Sequence, residues 1–159
     1  MLFGQKGEDI LAALTGEVIS ITEVESPIFA GKVVGDGVAI IPTASEVKAP
    51  ISGVIAFIGE QKHTYGITGY DGLEVLIHLG IGTVALNGKG FTPLVEPGQQ
   101  VNAGDRICIV DWDSIKKAGY DITSPQVITS TAIDKIKRLT LINGFATAGV
   151  SPCMRYVLK

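Results

Sequence analysis

Short runs of β-branched and other apolar residues recur along the 159-residue chain, and glycine, proline, aspartate or asparagine separates them. Runs of this length bounded by turn residues are typical of strands, and many short strands favour an antiparallel sandwich or barrel. The pattern therefore predicts an all-β domain, an antiparallel β-sandwich with barrel-like closure. The predicted strands are Glu17–Thr22, Gly37–Ile41, Gly53–Ile58, His63–Thr68, Leu73–Leu79, Arg106–Val110 and Met154–Leu158.

Helical signals are few. The clearest predicts a short helix over Asp113–Lys117, with Asp113 as its N-cap. A weaker signal covers Thr131–Lys137, where Thr131 could cap a turn but β-branched residues compete. We expect one or two short helices beside the sheets.

Two weak internal similarities suggest a duplicated β unit. Residues 14–20 resemble residues 50–56, each with a turn glycine followed by a strand pattern, and residues 98–107 resemble residues 144–153. We interpret this as pseudo-duplication within one domain. The predicted organisation is a short N-terminal tail over 1–9 and a single domain over 10–159.

Composition narrows the classes of function. The chain is 46% hydrophobic with a net charge of −3, and no lysine or arginine stripe indicates a nucleic-acid partner. No signal peptide is evident, and no apolar run approaches the length of about 18 residues that suggests direct membrane insertion. Cys108 and Cys153 are isolated, which favours two free thiols in a reducing compartment. We expect a cytoplasmic protein.

The two histidines of the chain both fall in one predicted hairpin, His63 at its start and His78 near its end. If Thr68 faces Leu73 across a four-residue loop, His63 lies directly opposite His78. If residues 71–72 form a two-residue turn, His78 faces Tyr65 and His63 is one diagonal step away. Both registers place the imidazoles on one face, with Cβ atoms roughly 4.5–5.5 Å or about 7–8 Å apart.

Alternation along the second strand of the hairpin predicts the surroundings of His78. One face carries Leu73, Val75, Ile77 and Leu79, which we expect in the core. The other face carries His78 beside Leu76. We expect Ile67 and Tyr65 to lie across from His78 and to form a shallow apolar surface with it.

Two histidines on one surface can be structural, can bind a metal, or can do chemistry. Zinc needs about three or four protein ligands, so the chain offers no intrinsic metal site, although His63 and His78 could join a zinc site shared with a partner. No cofactor is indicated. The G-x-S-x-G elbow of serine hydrolases and the P-loop of nucleotide-binding proteins are both missing from the sequence.

The stretch Gly72-Leu-Glu-Val-Leu-Ile-His-Leu-Gly-Ile-Gly-Thr-Val84 resembles the phosphorylation-site signature of a known family. The family is the glucose-type enzyme IIA component of the bacterial phosphoenolpyruvate-dependent sugar phosphotransferase system. Further similar motifs occur in the same order over residues 34–40, 47–53, 88–91 and 101–105. The resemblance extends from about Ile10 to Lys159.

The resemblance implies a phosphotransferase component that acts through a phosphohistidine intermediate. His78 would accept the phosphoryl group through its outer nitrogen, while its inner N–H reaches the carbonyl of Gly80. His63 would stabilise the phosphoryl oxygens. The implied donor is the phosphocarrier protein HPr, and the implied acceptor is a cysteine of the IIB domain of a sugar permease (IIBC).

The chain departs from the family pattern at two positions. A threonine commonly precedes the partner histidine by two residues, and here Gln61 stands in its place as a possible orienting group for His63. The signature usually carries an acid where this chain has Gly82, so electrostatic docking to HPr would depend more on Asp36.

The residues expected to contact a partner are Asp36, Val38, Ile67, Leu76 and Gly82. The apolar members, Val38, Ile67 and Leu76, would also exclude water from the phosphohistidine. The alternative function is a regulatory binding module whose partner contacts depend on His78 phosphorylation. A biotinyl or lipoyl carrier domain is disfavoured, because neither Met1 nor Met154 flanks a lysine.

Overall fold

The computed structural model describes residues 7–159 and is built almost entirely of antiparallel strands. The strands are β1 (Glu8–Leu11), β2 (Gly16–Ser20), β3 (Gly35–Pro42), β4 (Glu46–Lys48), β5 (Gly53–Ile58), β6 (Thr64–Gly69), β7 (Glu74–His78), β8 (Phe91–Pro93), β9 (Gln100–Val101), β10 (Arg106–Val110), β11 (Ser124–Thr129), β12 (Ile136–Leu141), β13 (Gly144–Ala146) and β14 (Pro152–Leu158). The helices are α1 (Pro27–Ala30) and α2 (Trp112–Lys117), with 3-10 turns at Ile21–Glu23, Thr83–Leu86 and Ile133–Lys135. The predicted all-β class and its seven strands are confirmed.

The strands form three sheets. The largest has eight strands in the order β13-β2-β3-β11-β7-β6-β5-β9, and two three-stranded sheets have the orders β1-β14-β12 and β4-β10-β8. One hydrophobic core joins all three, since Ile10, Val47 and Val75 come from different sheets and are each fully buried. The strand β7, which ends at His78, lies between β6 and β11 within the large sheet.

Glycines open two strands of the large sheet at equivalent points of the two similar segments. A Cβ at Gly16 would lie 1.9 Å from the carbonyl oxygen of Ile41, and one at Gly53 would lie 2.1 Å from that of Thr68. Only glycine permits this approach of the neighbouring strand. The segments that resemble each other in sequence therefore begin their strands in the same way.

The helix predicted over Asp113–Lys117 is confirmed as α2, but its cap and the second helical prediction need correction. The helix α2 is capped by Asp111, whose Oδ1 accepts a hydrogen bond from the Ser114 amide at 3.2 Å, so Asp113 lies in its first turn. The weaker helical segment is a 3-10 turn at Ile133–Lys135, followed directly by β12. The β-branched residues of that segment favour the strand.

The start of the domain also needs correction. Glu8 and Asp9, assigned to the tail, belong to β1 and pair with β14. The Asp9 carboxylate accepts a hydrogen bond from Arg155 Nε at 2.8 Å, which ties the strand in place. Positions 1–6 of the predicted tail lie outside the described residues.

Candidate functional site

His78 is the last residue of β7, and strand alternation decides which way it points. Leu73, Val75, Ile77 and Leu79 are each at most 1% exposed, so they form the core face as predicted. His78 and Leu76 occupy the opposite face and are partly buried. This outer face of the large sheet carries the candidate site.

The His78 ring is held by the backbone two residues further along. Its Nδ1 lies 2.6 Å from the carbonyl oxygen of Gly80. Because a carbonyl only accepts, Nδ1 must carry the proton of the neutral ring, and Nε2 keeps its lone pair. The geometry is the one that the family resemblance implies for His78 and Gly80, and it leaves Nε2 with the free lone pair.

The two imidazoles do meet, although both predicted registers are wrong. Thr64 faces His78 and Tyr65 faces Ile77, one residue away from either expectation. His63 precedes β6, outside the paired strand. The preceding Lys62 has φ of 65°, and this left-handed turn redirects the chain. The His63 and His78 rings end 4.9 Å apart between centroids, nearly perpendicular at 89°.

The register differs because the hairpin loop has three residues. Gly69 donates its amide to the Leu73 carbonyl at 2.7 Å, and the loop between them ends at Gly72 with φ of 87°. A three-residue hairpin loop with glycine in the left-handed position is a common turn. Loops of two or four residues give the two registers predicted from the sequence, and a three-residue loop gives the pairing between them.

Gln61 does not orient His63. Within the described residues, the Nδ1 atom of His63 is shielded from solvent and has no hydrogen-bond partner. The ring is therefore placed by the backbone turn and by packing against His78. The amide that replaces the family's threonine makes no bond to it.

A phenylalanine that the sequence analysis missed completes the surroundings of His78. The Phe29 ring contacts the His78 ring edge-on, with centroids 5.0 Å apart. Phe29 belongs to α1, a four-residue helix with Pro27 at its first turn. The Ser26-Pro27 pair is a helix-start signal that could have revealed this element.

The outer face has its own small apolar cluster. Its buried members are Ile21, Val24, Phe29, Ala39 and Val127, with Ile19, Val34, Leu76 and Ile81 packed against them. We call this group the outer cluster. It lies beside His78 and, with the ring of Phe29, limits the access of water to the imidazole.

Burial sets the protonation state of the site. The pKa of His78 is lowered to about 4, mainly by burial, while the Gly80 hydrogen bond opposes the shift and the proximity of His63 adds to it. Burial also lowers the pKa of His63. Both rings are therefore neutral at physiological pH, and Nε2 of His78 keeps a free lone pair.

Two of the apolar residues expected on a docking surface are in the core. Val38 and Ile67 are each 0% exposed, because the true register puts them on the inner face of the sheet. Tyr65 is equally buried opposite Ile77. Leu76 is on the outer face as expected, within the outer cluster.

One of the two electrostatic positions differs from expectation. Asp36 shares its β3 face with Val38, the face opposite to that of His78, and lies 3.7 Å from Lys32 Nζ. Gly82 is exposed and has φ of 74°, a left-handed conformation. The exposed Asp121 lies closer to the site, since its carbonyl accepts the Ile81 amide at 2.9 Å.

Exposed apolar side chains flank the site on two sides. Ile28 and Val33 lie in and after α1 and are 50% and 65% exposed. Val84, two residues beyond Gly82, is 52% exposed. These residues, and not Val38 or Ile67, offer an apolar rim for a macromolecular partner.

The site is a surface feature and not a ligand cleft. Two open clefts lie elsewhere, one lined by Trp112 and Asp111 and one lined by Tyr156 and Asp71. Within residues 7–159, no three histidine, cysteine or acidic side chains are grouped as a metal site would require. A zinc ion at His63 and His78 would need its other ligands from a partner.

The helices of the described region include none long and apolar enough to cross a bilayer.

Comparisons with known proteins agree on one family. The family model for the phosphoenolpyruvate-dependent sugar phosphotransferase system, EIIA 1, matches residues 8–133. The chain is 42% identical over 153 residues to the "PTS system glucose-specific EIIA component" of Bacillus cereus, covering 96% of this chain and 92% of that protein. It is 39% identical to the Buchnera aphidicola protein with the same name, with 92% and 90% coverage.

A larger relative and a solved structure extend the comparison. The "PTS system glucose-specific EIICBA component" of Streptococcus pneumoniae is 40% identical over 131 residues, which span 82% of this chain and 18% of that protein. The structure of "glucose permease IIA from Mycoplasma capricolum" superposes with a TM-score of 0.86 at 34% identity, over 97% of this chain and 99% of that one.

Proposed function

The chain belongs to the EIIA 1 family of the phosphoenolpyruvate-dependent sugar phosphotransferase system, and on that premise we propose that His78 carries its phosphoryl group. The family resemblance of the sequence is thereby confirmed, and with it a phosphotransferase component of sugar uptake that acts through phosphohistidine. One observation supports His78 above all. Its Nδ1 is bound to Gly80 at 2.6 Å, so the lone pair of Nε2 is free on an accessible face.

The proposed step is an in-line transfer from phospho-HPr. The Nε2 lone pair of His78 forms the new N–P bond while the N–P bond of the donor histidine breaks, and the electron pair returns to the donor ring. The His78 ring becomes more positive as the bond forms. Its Nδ1 proton stays in place, where the Gly80 carbonyl stabilises that charge.

His63 has a different role in the proposal. It lies close enough to contribute an N–H to the phosphoryl oxygens, and transfer requires mainly positioning and charge stabilisation. The phosphoryl group then passes from Nε2 to a cysteine thiolate of a IIB domain, forming an S–P bond as the N–P bond breaks. The name of the pneumococcal relative joins A, B and C components, which supports a IIBC sugar permease as the partner.

We place both partners on the apolar rim of Ile28, Val33 and Val84, with Leu76 beneath it. Asp121 is the exposed acid beside the site that could meet basic residues of HPr, whereas Asp36 lies on the opposite face of β3 and is not placed at this contact. The glucose-specific names of the relatives suggest glucose as the sugar. A cytoplasmic location follows from the proposed donor.

The domain extends beyond the family match in this proposal. Past residue 133, β14 pairs with β1 and β13 pairs with β2. The strands β12–β14 therefore complete the same sheets, and we propose that the domain runs to residue 159.

The test is a reconstituted relay. The protein is incubated with phosphoenolpyruvate, enzyme I and HPr, and intact mass is measured before and after addition of a IIB domain. Wild type should gain one phosphoryl group and lose it to IIB, whereas His78→Ala should remain folded and gain none. A His78→Ala protein that still accepts phosphate contradicts the assignment. Loss of the group by hydrolysis alone, with no transfer to IIB, would favour the regulatory module.

A further inference from the structure

Two buried hydroxyl groups hold the peptide unit that joins Leu79 to Gly80. Thr83 Oγ1 donates to the Leu79 carbonyl at 2.6 Å, and the Gly80 amide donates to Ser124 Oγ at 3.0 Å. Ser124 in turn donates to the Ile122 carbonyl at 2.8 Å. Thr83 is 0% and Ser124 1% exposed, so no water competes for these bonds.

The next peptide unit contains the carbonyl that binds His78. Its oxygen, on Gly80, accepts from His78 Nδ1, and its N–H, on Ile81, donates to the Asp121 carbonyl at 2.9 Å. Two consecutive peptide units are therefore fixed at both ends. The side chains of Thr83 and Ser124 fix the first unit, whereas the second is held by the His78 ring at its carbonyl and by the Asp121 backbone at its N–H.

The residue between these units is conformationally free. Gly80 has φ of 80°, a conformation that glycine adopts readily and other residues rarely. A Cβ there would lie 2.6 Å from Thr83 Cγ2 and 3.0 Å from the Asp121 carbonyl oxygen. Because glycine imposes no preference of its own, the direction of its carbonyl must be set by contacts.

We propose that Thr83 and Ser124 are positioning residues that fix the Nδ1–H tautomer of His78 by clamping the Leu79–Gly80 peptide unit. This inference rests on the proposed role of His78. Without the clamp, only the Ile81–Asp121 bond holds this turn, and rotation at Gly80 moves its carbonyl out of line with Nδ1. The ring can then carry its proton on Nε2, which blocks the attacking lone pair.

The test combines tautomer and rate. Thr83→Val removes the hydroxyl with little change of shape, and Ser124→Ala removes the acceptor. Thr83→Ser and Ser124→Thr keep a hydroxyl. Ser52→Ala is the control for the loss of a serine hydroxyl away from the site, because the exposed Ser52 also accepts a backbone amide, that of Ala103, at 2.9 Å near the far end of β6.

The readouts are the ¹⁵N chemical shifts of the His78 ring at neutral pH, the rate of phosphorylation by phospho-HPr, and the melting temperature. Thr83→Val and Ser124→Ala should shift ring protons toward Nε2 and slow phosphorylation about tenfold, the effect of one neutral hydrogen bond. The hydroxyl-retaining variants and Ser52→Ala should keep the wild-type tautomer and rate. If Ser124→Ala does not fold, Thr83→Val alone decides.

A purely structural role gives another result. Variants that melt earlier while keeping the wild-type ring shifts and rate overturn the proposal. Failure of the proposed function is distinguishable from failure of the clamp. If the proposed function is wrong, wild type gains no phosphate on His78, but the ring shifts of the variants still report the tautomer.

Discussion

His78 should remain neutral to a far lower pH than an ordinary histidine. Burial against Phe29 and the outer cluster lowers its pKa from 6.5 to about 4. A shift of this size corresponds to roughly 3 kcal/mol of preference for the neutral ring. At pH 6 an unperturbed imidazole would be mostly protonated and unable to attack, whereas His78 should keep its Nε2 lone pair.

The sign of the effect on stability follows from the same shift. Between pH 6.5 and 4 the unfolded chain binds a proton at this position and the folded protein does not. The contribution of neutral His78 to folding stability is therefore complete above pH 6.5 and is lost as the pH falls toward 4. A His78→Gln variant should lack this part of the pH dependence.

The direct assay is an NMR titration of the two imidazole rings in wild type and in His63→Gln. In wild type the His78 resonance should titrate with a midpoint near pH 4. In His63→Gln the midpoint should rise slightly, because burial and not the neighbouring charge is the main cause. Urea unfolding of wild type and His78→Gln between pH 4 and 8 provides the thermodynamic check.

Two results would refute this reasoning. A wild-type midpoint near 6.5 would show that the ring is solvated and that the outer cluster does not shield it. A His63→Gln midpoint that returns fully to 6.5 would assign the shift to charge repulsion instead of burial.

Three further predictions concern residues around the ring. His63→Gln should still accept phosphate but pass it to IIB at least 100-fold more slowly, since one stabilising donor is worth about 3 kcal/mol. Equal transfer rates in His63→Gln and wild type would exclude this role of His63. Gly82→Asp should lose about 1 kcal/mol of stability, because the backbone there is left-handed, yet it should associate faster with HPr at low salt. Gly82→Asn carries the same strain without the charge, so it should not associate faster. Lys62→Val should cost roughly 1–2 kcal/mol in unfolding free energy, because Val disfavours the left-handed conformation, and it should slow transfer to IIB by displacing His63. Lys62→Gly should preserve transfer. Wild-type stability and transfer in Lys62→Val would contradict the role of the turn.

The sequence predicted the faces of β7 correctly because alternation is a local property of a regular strand. Leu73 and Val75 are buried and His78 is not, as their parity requires. The register was wrong because it depends on loop geometry, and the left-handed Gly72 shortens the loop to three residues. Burial of Ile67 follows from that same shift.

Contacts from distant parts of the chain could not be predicted in this way. Phe29 meets His78 only because α1 covers the outer face, and Ser124 meets Gly80 because β11 pairs with β7. No periodicity in the sequence relates these positions. The motif resemblance supplied His78, His63 and Gly80, but it carried no information on Gln61, which makes no bond to His63.

The chemistry of this site is located where the strand ladder stops. His78 ends β7, His63 precedes β6, and the carbonyl that orients His78 belongs to Gly80, beyond the strand. Inside a ladder, strand pairing fixes the direction of every side chain, so each one can point only to one face of the sheet or the other. Beyond the ladder, left-handed residues set the direction, Lys62 for one ring and Gly80 for the acceptor of the other. Alternation can therefore find the strand that carries the proposed nucleophile, His78, whereas the direction of its ring depends on turns and buried hydroxyls that only the folded chain brings together.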